Sequence, residues 1–140
     1  MAFPDDLASL YVTQGVGTLG NVSGSGNIFT SSKAILPSGN GPYLAIIETG
    51  GRTPARIQNK SSATLRFVTA QVCVIAVSEP AAVAMINSAF VVSDGVYNTV
   101  INGTSYLSIT ALQEPQDKGL DRGASSRIQL IFNLLAQFAP

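Results

Sequence analysis

The sequence has no histidine and no tryptophan, and it has one cysteine among 140 residues. Without histidine, no mechanism can use an imidazole base and no metal can have an imidazole ligand. Cys73 cannot form a disulfide within the chain and has no histidine to activate it, so we expect a buried, inert thiol. Nucleophile elbows, phosphate-binding P-loops and cysteine clusters are also missing. We therefore expect no catalytic, cofactor-binding or metal-binding residues and no enzymatic activity.

Charge is scarce as well. Only 11% of the residues are charged, with eight basic and eight acidic side chains that cancel, whereas soluble domains average about 25%. The hydrophobic share of 46% is enough for one core in a chain of this length. A neutral, charge-poor exterior favours association, so the composition indicates a single domain that assembles with partners.

Targeting signals are not evident in the sequence. The opening MAFPDDLASLYV has two acids and no basic segment, unlike a secretory signal. Apolar runs stay well below the roughly 20 residues that span a bilayer. We expect synthesis in the cytoplasm and no membrane role.

One sequence motif matches a nucleotide-binding pattern. The segment 15–20, GVGTLG, matches the dinucleotide-binding pattern G-x-G-x-x-G. That pattern works between a strand and a helix, whereas this copy follows a predicted helix and leads into NVSGSG. A flexible connection is the better interpretation.

Two helices are predicted. Residues 3–13 combine Pro4, which suits a first helical position, with Asp5 and Asp6, which favour the positive end of the helix dipole. The second helix follows Ser78, which is expected to cap it. Its apolar stripe is expected to contain Val83, Ile86 and Phe90, with Ala82 and Ala89 beside them.

The remaining pattern indicates strands. They are predicted at 28–29, 43–48, 66–77, 96–101, 104–112 and 126–134. The clearest signal is Asn102-Gly103 between two of them, since this pair supplies the positive φ angles of a type I′ hairpin. In 66–77 one face is apolar throughout (Val68, Ala70, Val72, Val74, Ala76) and the other is mixed. Polar loops are predicted at 51–65 and 113–124.

This order of elements has no regular βαβ alternation, which favours an α+β fold. We expect one domain over 1–140, with a mainly antiparallel sheet and helices packed on one face. Residues 1–27 would form the N-terminal helix and a Gly/Ser-rich connection, and 28–140 the main body.

Charged residues of the two polar loops are the candidate functional positions. Glu114, Asp117 and Asp121 could bind a hard cation, but Lys118 and Arg122 offset their charge and the spacing is not that of an EF-hand. A solvated loop with local ion pairs is the main interpretation, and an interface role is the other.

Arg52 and Arg56 could pair with a partner's carboxylate or with phosphate, or could simply be exposed. Nucleic-acid binding would call for a basic excess or stacking aromatic residues, and neither occurs. A contact with a protein partner is therefore the preferred functional interpretation of both arginines.

Three phrases together point to a family: IIETGGRTP at 46–54, INGTSYLSITALQEPQDKGLD at 101–121, and the closing RIQLIFNLL. In this order they resemble the tail terminator proteins of long-tailed bacteriophages, over about 28–138. The sequence departs from the family where related chains carry an Arg-x-Arg-like run before the last strand. Here Arg122 and Arg127 are separated.

The resemblance implies an α+β subunit of a six-membered ring at the head-proximal end of the tail tube. The ring would stop tube polymerisation and present a surface to the head-tail connector or stopper protein. The genome DNA would pass through the lumen without sequence-specific binding, and no cofactor would be needed. The protein would be made in the host cytoplasm and reside in the virion. The candidate interface residues are Arg52, Arg56, Glu114, Asp117, Asp121, Arg122 and Arg127.

Two alternatives remain open from the sequence. One is another ring of the head-tail interface, such as a stopper or head completion protein, or a tail tube protein. The other is a small enzyme or ligand-binding domain, for which the sequence offers no residues.

Overall fold

The fold was analysed in a computed structural model, which describes residues 3–20, 26–30, 40–50, 65–120 and 127–138. Two helices and seven strands occur in these ranges. In chain order they are α1 (Phe3–Thr13), β1 (Ile28–Phe29), β2 (Tyr43–Gly50), β3 (Arg66–Ala76), α2 (Glu79–Ser93), β4 (Val96–Ile101), β5 (Thr104–Ala111), β6 (Gln116–Leu120) and β7 (Ile128–Phe138).

The described strands form one sheet in the order β1-β2-β3-β7-β5-β4, and β6 also pairs with β7. Only β1 and β2 run parallel; the other pairs are antiparallel. β3 and β7 pair without interruption from Arg66 opposite Phe138 to Ala76 opposite Ile128. On its other side β7 is shared, with β5 along its second half and β6 along its first half.

Both helices pack on one face of the sheet, where the main core lies. β3 contributes the residues predicted for its apolar face, and β7 contributes every second residue from Leu130 to Ala136. On the opposite face, Cys73, Ile75 and Ile131 form a smaller buried cluster. The predicted α+β class, the mainly antiparallel sheet and the helices on one face are confirmed, and so is the buried thiol of Cys73.

The hairpin between β4 and β5 is also confirmed. Asn102 and Gly103 have φ angles of 49° and 83°, as the predicted turn requires. β4 and β5 pair from Val96 opposite Ile109 to Ile101 opposite Thr104. β7 ends at Phe138, four residues beyond the predicted strand end at position 134.

The structure corrects the predicted loop at 113–124, because β6 occupies Gln116–Leu120. Its sequence, QDKGL, shows no apolar alternation, so the pattern gave no reason to expect a strand. The pairing depends on β7 instead: β5 leaves the first half of β7 without a neighbour on that side, and β6 fills that position. Main-chain hydrogen bonds therefore account for a strand that side-chain pattern does not predict.

Two details of α2 were wrong. Val83 is 38% exposed, while Met85 is buried together with Ala82, Ile86 and Ala89. The burial of Ala82, Ile86 and Ala89 confirms that part of the predicted stripe, but Met85 rather than Val83 completes it. Ser78 does occupy the N-cap position, but its side chain makes no capping hydrogen bond.

Candidate interaction surfaces

The predicted interface residues separate into two groups. Arg52, Arg56, Asp121 and Arg122 lie outside the described residues, so their predicted roles stay predictions. Glu114, Asp117 and Arg127 lie within them and occupy different environments, which are considered next.

Glu114 and Asp117 lie around the start of β6. Both are exposed in the single chain, and Asp117 is placed opposite Leu130 of β7. Glu114 belongs to a short interruption between β5 and β6, which begins at Leu112, a residue that is 54% exposed. Both Leu112 and Glu114 are exposed in the single chain, so both are accessible to a partner.

Arg127 differs from these two acids because it is buried. It directly precedes β7 and only 6% of its surface is exposed. Its guanidinium is therefore mostly covered in the single chain. The predicted interface role of Arg127 stays a prediction.

A buried polar network fixes α1 to the hairpin, and the sequence gave no sign of it. Asp6 is completely buried and accepts hydrogen bonds from the Tyr106 hydroxyl at 2.5 Å and from Asn102 Nδ2 at 3.1 Å. Asn102 Nδ2 also donates to Ser9 Oγ at 3.0 Å. Burial raises the pKa of the Tyr106 hydroxyl well above its usual range, and its hydrogen bond to Asp6 raises it further. This network can orient α1, and it leaves no open polar site.

A second buried hydrogen bond joins the two helices. The Tyr11 hydroxyl donates to Ser93 Oγ at 3.1 Å, and Ser93 Oγ donates in turn to the Ala89 carbonyl at 2.7 Å. Burial raises the pKa of Tyr11 above its usual range, although the bond to Ser93 opposes this shift. Both tyrosines therefore stay protonated at neutral pH and act structurally.

An accessible apolar groove lies where α1, α2 and β4 meet. It has a volume of about 570 Å³ and is lined by uncharged residues from all three elements, among them Leu10, Gln14, Val91, Val96 and Tyr97. A neighbouring depression of about 390 Å³ shares Gln14 and Val91 and is also lined only by uncharged residues. Val91 and Tyr97 are each 74% exposed. We call the first of these two concave surfaces the α2-β4 groove.

Sequence reasoning missed the α2-β4 groove for a definite reason. Val91 lies in a helix without any charge after Glu79, and Tyr97 lies in a strand without any charge. Both features are visible in the sequence, but which valines are exposed follows only from how α2 sits on the sheet. The uncharged run from Pro80 to Ser93 was the signal that could have indicated an uncovered face.

Other kinds of site are not seen in the described ranges. There, no three His, Cys, Asp or Glu side chains lie close enough together to hold a metal ion. Within the same ranges, neither helix has the length and apolar character that crossing a membrane takes.

No known protein family matches the sequence, and no curated protein matches it. Solved structures do share the fold. A chain from the virion of a native gene transfer agent particle superimposes with a TM-score of 0.54 at 15% identity, covering 96% of this chain and 84% of that chain. A second solved structure, without a functional name, gives a TM-score of 0.51 at 13% identity, covering 81% of this chain and 79% of that chain. At these identities the likeness shows a common fold.

Proposed function

We propose that this protein is a structural component of a phage-like virion and forms a ring that ends the tail tube and joins it to the head connector. The observation that carries the proposal is the fold shared with a chain of a gene transfer agent virion, over nearly the whole length of this chain. The sequence phrases that resemble tail terminators support the more specific role at the end of the tube.

The surface of the chain supports an assembly role. A charge-poor exterior with exposed apolar residues on both helices and on β4 and β5 suits a protein that is covered by neighbours. In a closed ring of identical subunits every contact joins two different patches of the same chain. The α2-β4 groove and the exposed residues Leu112 and Glu114 are candidate surfaces for contacts with neighbouring subunits.

The mechanism we propose is steric. One side of the ring reproduces the surface by which tube subunits bind the growing end. The other side lacks the surface that would recruit the next subunit, so the tube stops there. That second side is then available to the head connector.

Native mass spectrometry of the purified chain over a concentration series tests this function. A discrete six-subunit species without larger assemblies is expected. A continuing ladder would instead indicate a tail tube protein. Adding the chain to purified tail tube protein that is polymerising should fix the tube length, and tubes that keep growing would contradict the proposal.

A further inference from the structure

We infer that the α2-β4 groove is the surface that receives a second copy of this chain. The inference rests on the proposed ring of identical subunits and specifies which surface closes it. Its starting point is exposure: Val91 and Tyr97 are the two most exposed of the large apolar residues in the described chain, and both line the same groove. Isolated exposed apolar residues are ordinary, but two that share a concave surface indicate a contact site.

The lack of charge in the groove limits which partners can bind there. All the residues lining it are uncharged, so a nucleic acid, an anionic lipid or a charged peptide would find no counter-charge there. Asp94, which precedes Gly95 of the groove, is exposed and acidic, so it would repel a nucleic acid or an anionic lipid. The matching surface must therefore be uncharged, convex and partly apolar.

This chain also exposes apolar side chains elsewhere. Outside the groove, Leu19, Val100 and Leu112 are exposed by 61%, 67% and 54%. A head-to-tail contact joins the groove to a different part of the same chain, and these exposed side chains are available for it. A second copy of this chain thus supplies apolar side chains that suit the groove, and no other kind of protein is needed.

β4 gives the contact a second component. It is the outermost strand on its side of the described sheet, and its sequence, VYNTVI, has no lysine or proline to discourage a neighbour. Asn98, with a φ angle of 45°, interrupts the strand, and the Tyr97 carbonyl accepts a hydrogen bond from Thr99 Oγ1. The side chains along the outer edge of β4 therefore extend the contact surface beside the groove.

Charge substitutions in the groove test the inference. In Val91→Asp and Tyr97→Asp, the concentration at which half of the chain is assembled should rise roughly tenfold or more, because contacts at the centre of an interface dominate its stability. Val83→Asp is the matched control, since Val83 is exposed on the same helix but does not line the groove, and it should assemble as the wild type does. Unchanged thermal unfolding would show that all three variants fold.

The possible results of these experiments distinguish a failure of the groove contact from a failure of the proposed function. Groove variants that assemble like the wild type, or a wild type that stays monomeric at every concentration, would overturn the groove contact. If the groove variants form rings but no longer bind purified tail tubes, the groove receives a tube subunit and the inference is wrong. If the wild type forms an endless ladder that the groove variants abolish, the inference holds and the terminator role fails.

Discussion

The two helices pack on the same face of the sheet, but only one of them adds hydrogen bonds to the hairpin. α1 buries Phe3, Leu7 and Tyr11 in the core, and its Asp6 also accepts hydrogen bonds from Tyr106 and Asn102 of the hairpin. α2 is held mainly by an apolar stripe, in which Met85 and Ile86 are the largest buried side chains. Directional bonds fix the position of a helix, whereas apolar packing supplies most of the stabilisation and tolerates small shifts. The difference suggests that α1 specifies the arrangement of the fold and that α2 leaves its outer face for partners.

The attachment of α2 should give the largest effect when it is broken. Ile86 is 1% exposed, so Ile86→Ala removes buried methyl groups and is expected to lower the free energy of unfolding by about 2–5 kcal/mol. Val83→Ala, on the exposed side of α2, should change it by less than about 0.5 kcal/mol. Urea unfolding followed by circular dichroism measures both, and equal losses would mean that α2 packs through a different face.

The anchor of α1 is expected to be the next most sensitive feature. Asp6→Ala leaves the buried Tyr106 hydroxyl without its acceptor, so we expect a loss of about 2–3 kcal/mol in the free energy of unfolding. The adjacent Asp5 is exposed and accepts a solvent-exposed hydrogen bond from Thr30 Oγ1, so Asp5→Ala should cost less than about 1 kcal/mol. Chemical unfolding of both variants provides the measurement. Similar losses for the two acids would show that the buried network does not anchor α1.

High pH should weaken the same anchor. The pKa values of Tyr11 and Tyr106 are raised in the folded chain above the ordinary value of 10.0, so above pH 10 the unfolded chain loses protons that the folded chain keeps. Stability then falls as pH rises, by about 2 kcal/mol in total between pH 10 and 11 for the two groups. Urea midpoints across this range should show the fall, and Tyr11→Phe should remove about half of its slope. A slope that Tyr11→Phe leaves unchanged would contradict this prediction.

The turn that carries Asn102 gives the smallest expected effect. Gly103 has a φ angle of 83° and open space around the position of a Cβ atom, so Gly103→Ala should cost only the conformational strain of about 1–2 kcal/mol. Gly95, at the end of α2, has a φ angle of 85° and equally open space, and should respond alike. Thermal unfolding compares the two. A much larger loss at Gly103 would mean that the network between α1 and the hairpin amplifies the strain.

Much of this fold follows from local sequence pattern. The acids and proline at the start of α1, the alternation in β3 and the Asn102-Gly103 turn each act over a few neighbouring residues, so the sequence was sufficient to predict them. β6 was missed because its pairing depends on the space left along β7, which is a property of the sheet. The sequence cannot distinguish Asp5 from Asp6, since both suit a helix start, and only the position of Tyr106 decides which of them is buried.

The interaction surfaces were less accessible to sequence reasoning. Charge led to the prediction of Glu114, Asp117 and Arg127 as interface residues. Glu114 and Asp117 are exposed, whereas Arg127 is buried. Val91 and Tyr97 carry no charge and belong to no motif, and the uncharged run around Val91 does not show which of its residues are exposed. Their exposure arises where three elements distant in sequence meet, and it is visible only in the folded chain.

The pairing of β7 has a consequence for how the chain folds during synthesis. β7 follows all the other described strands along the chain, yet it lies between β3 and β5 in the sheet. Even its nearest pairing with β3, Ala76 opposite Ile128, closes a loop of more than fifty residues. The two halves of the sheet therefore cannot join until the ribosome has released β7. Topologies with such distant pairings fold slowly, and the edge of β3 that pairs with β7 must stay unpaired until then.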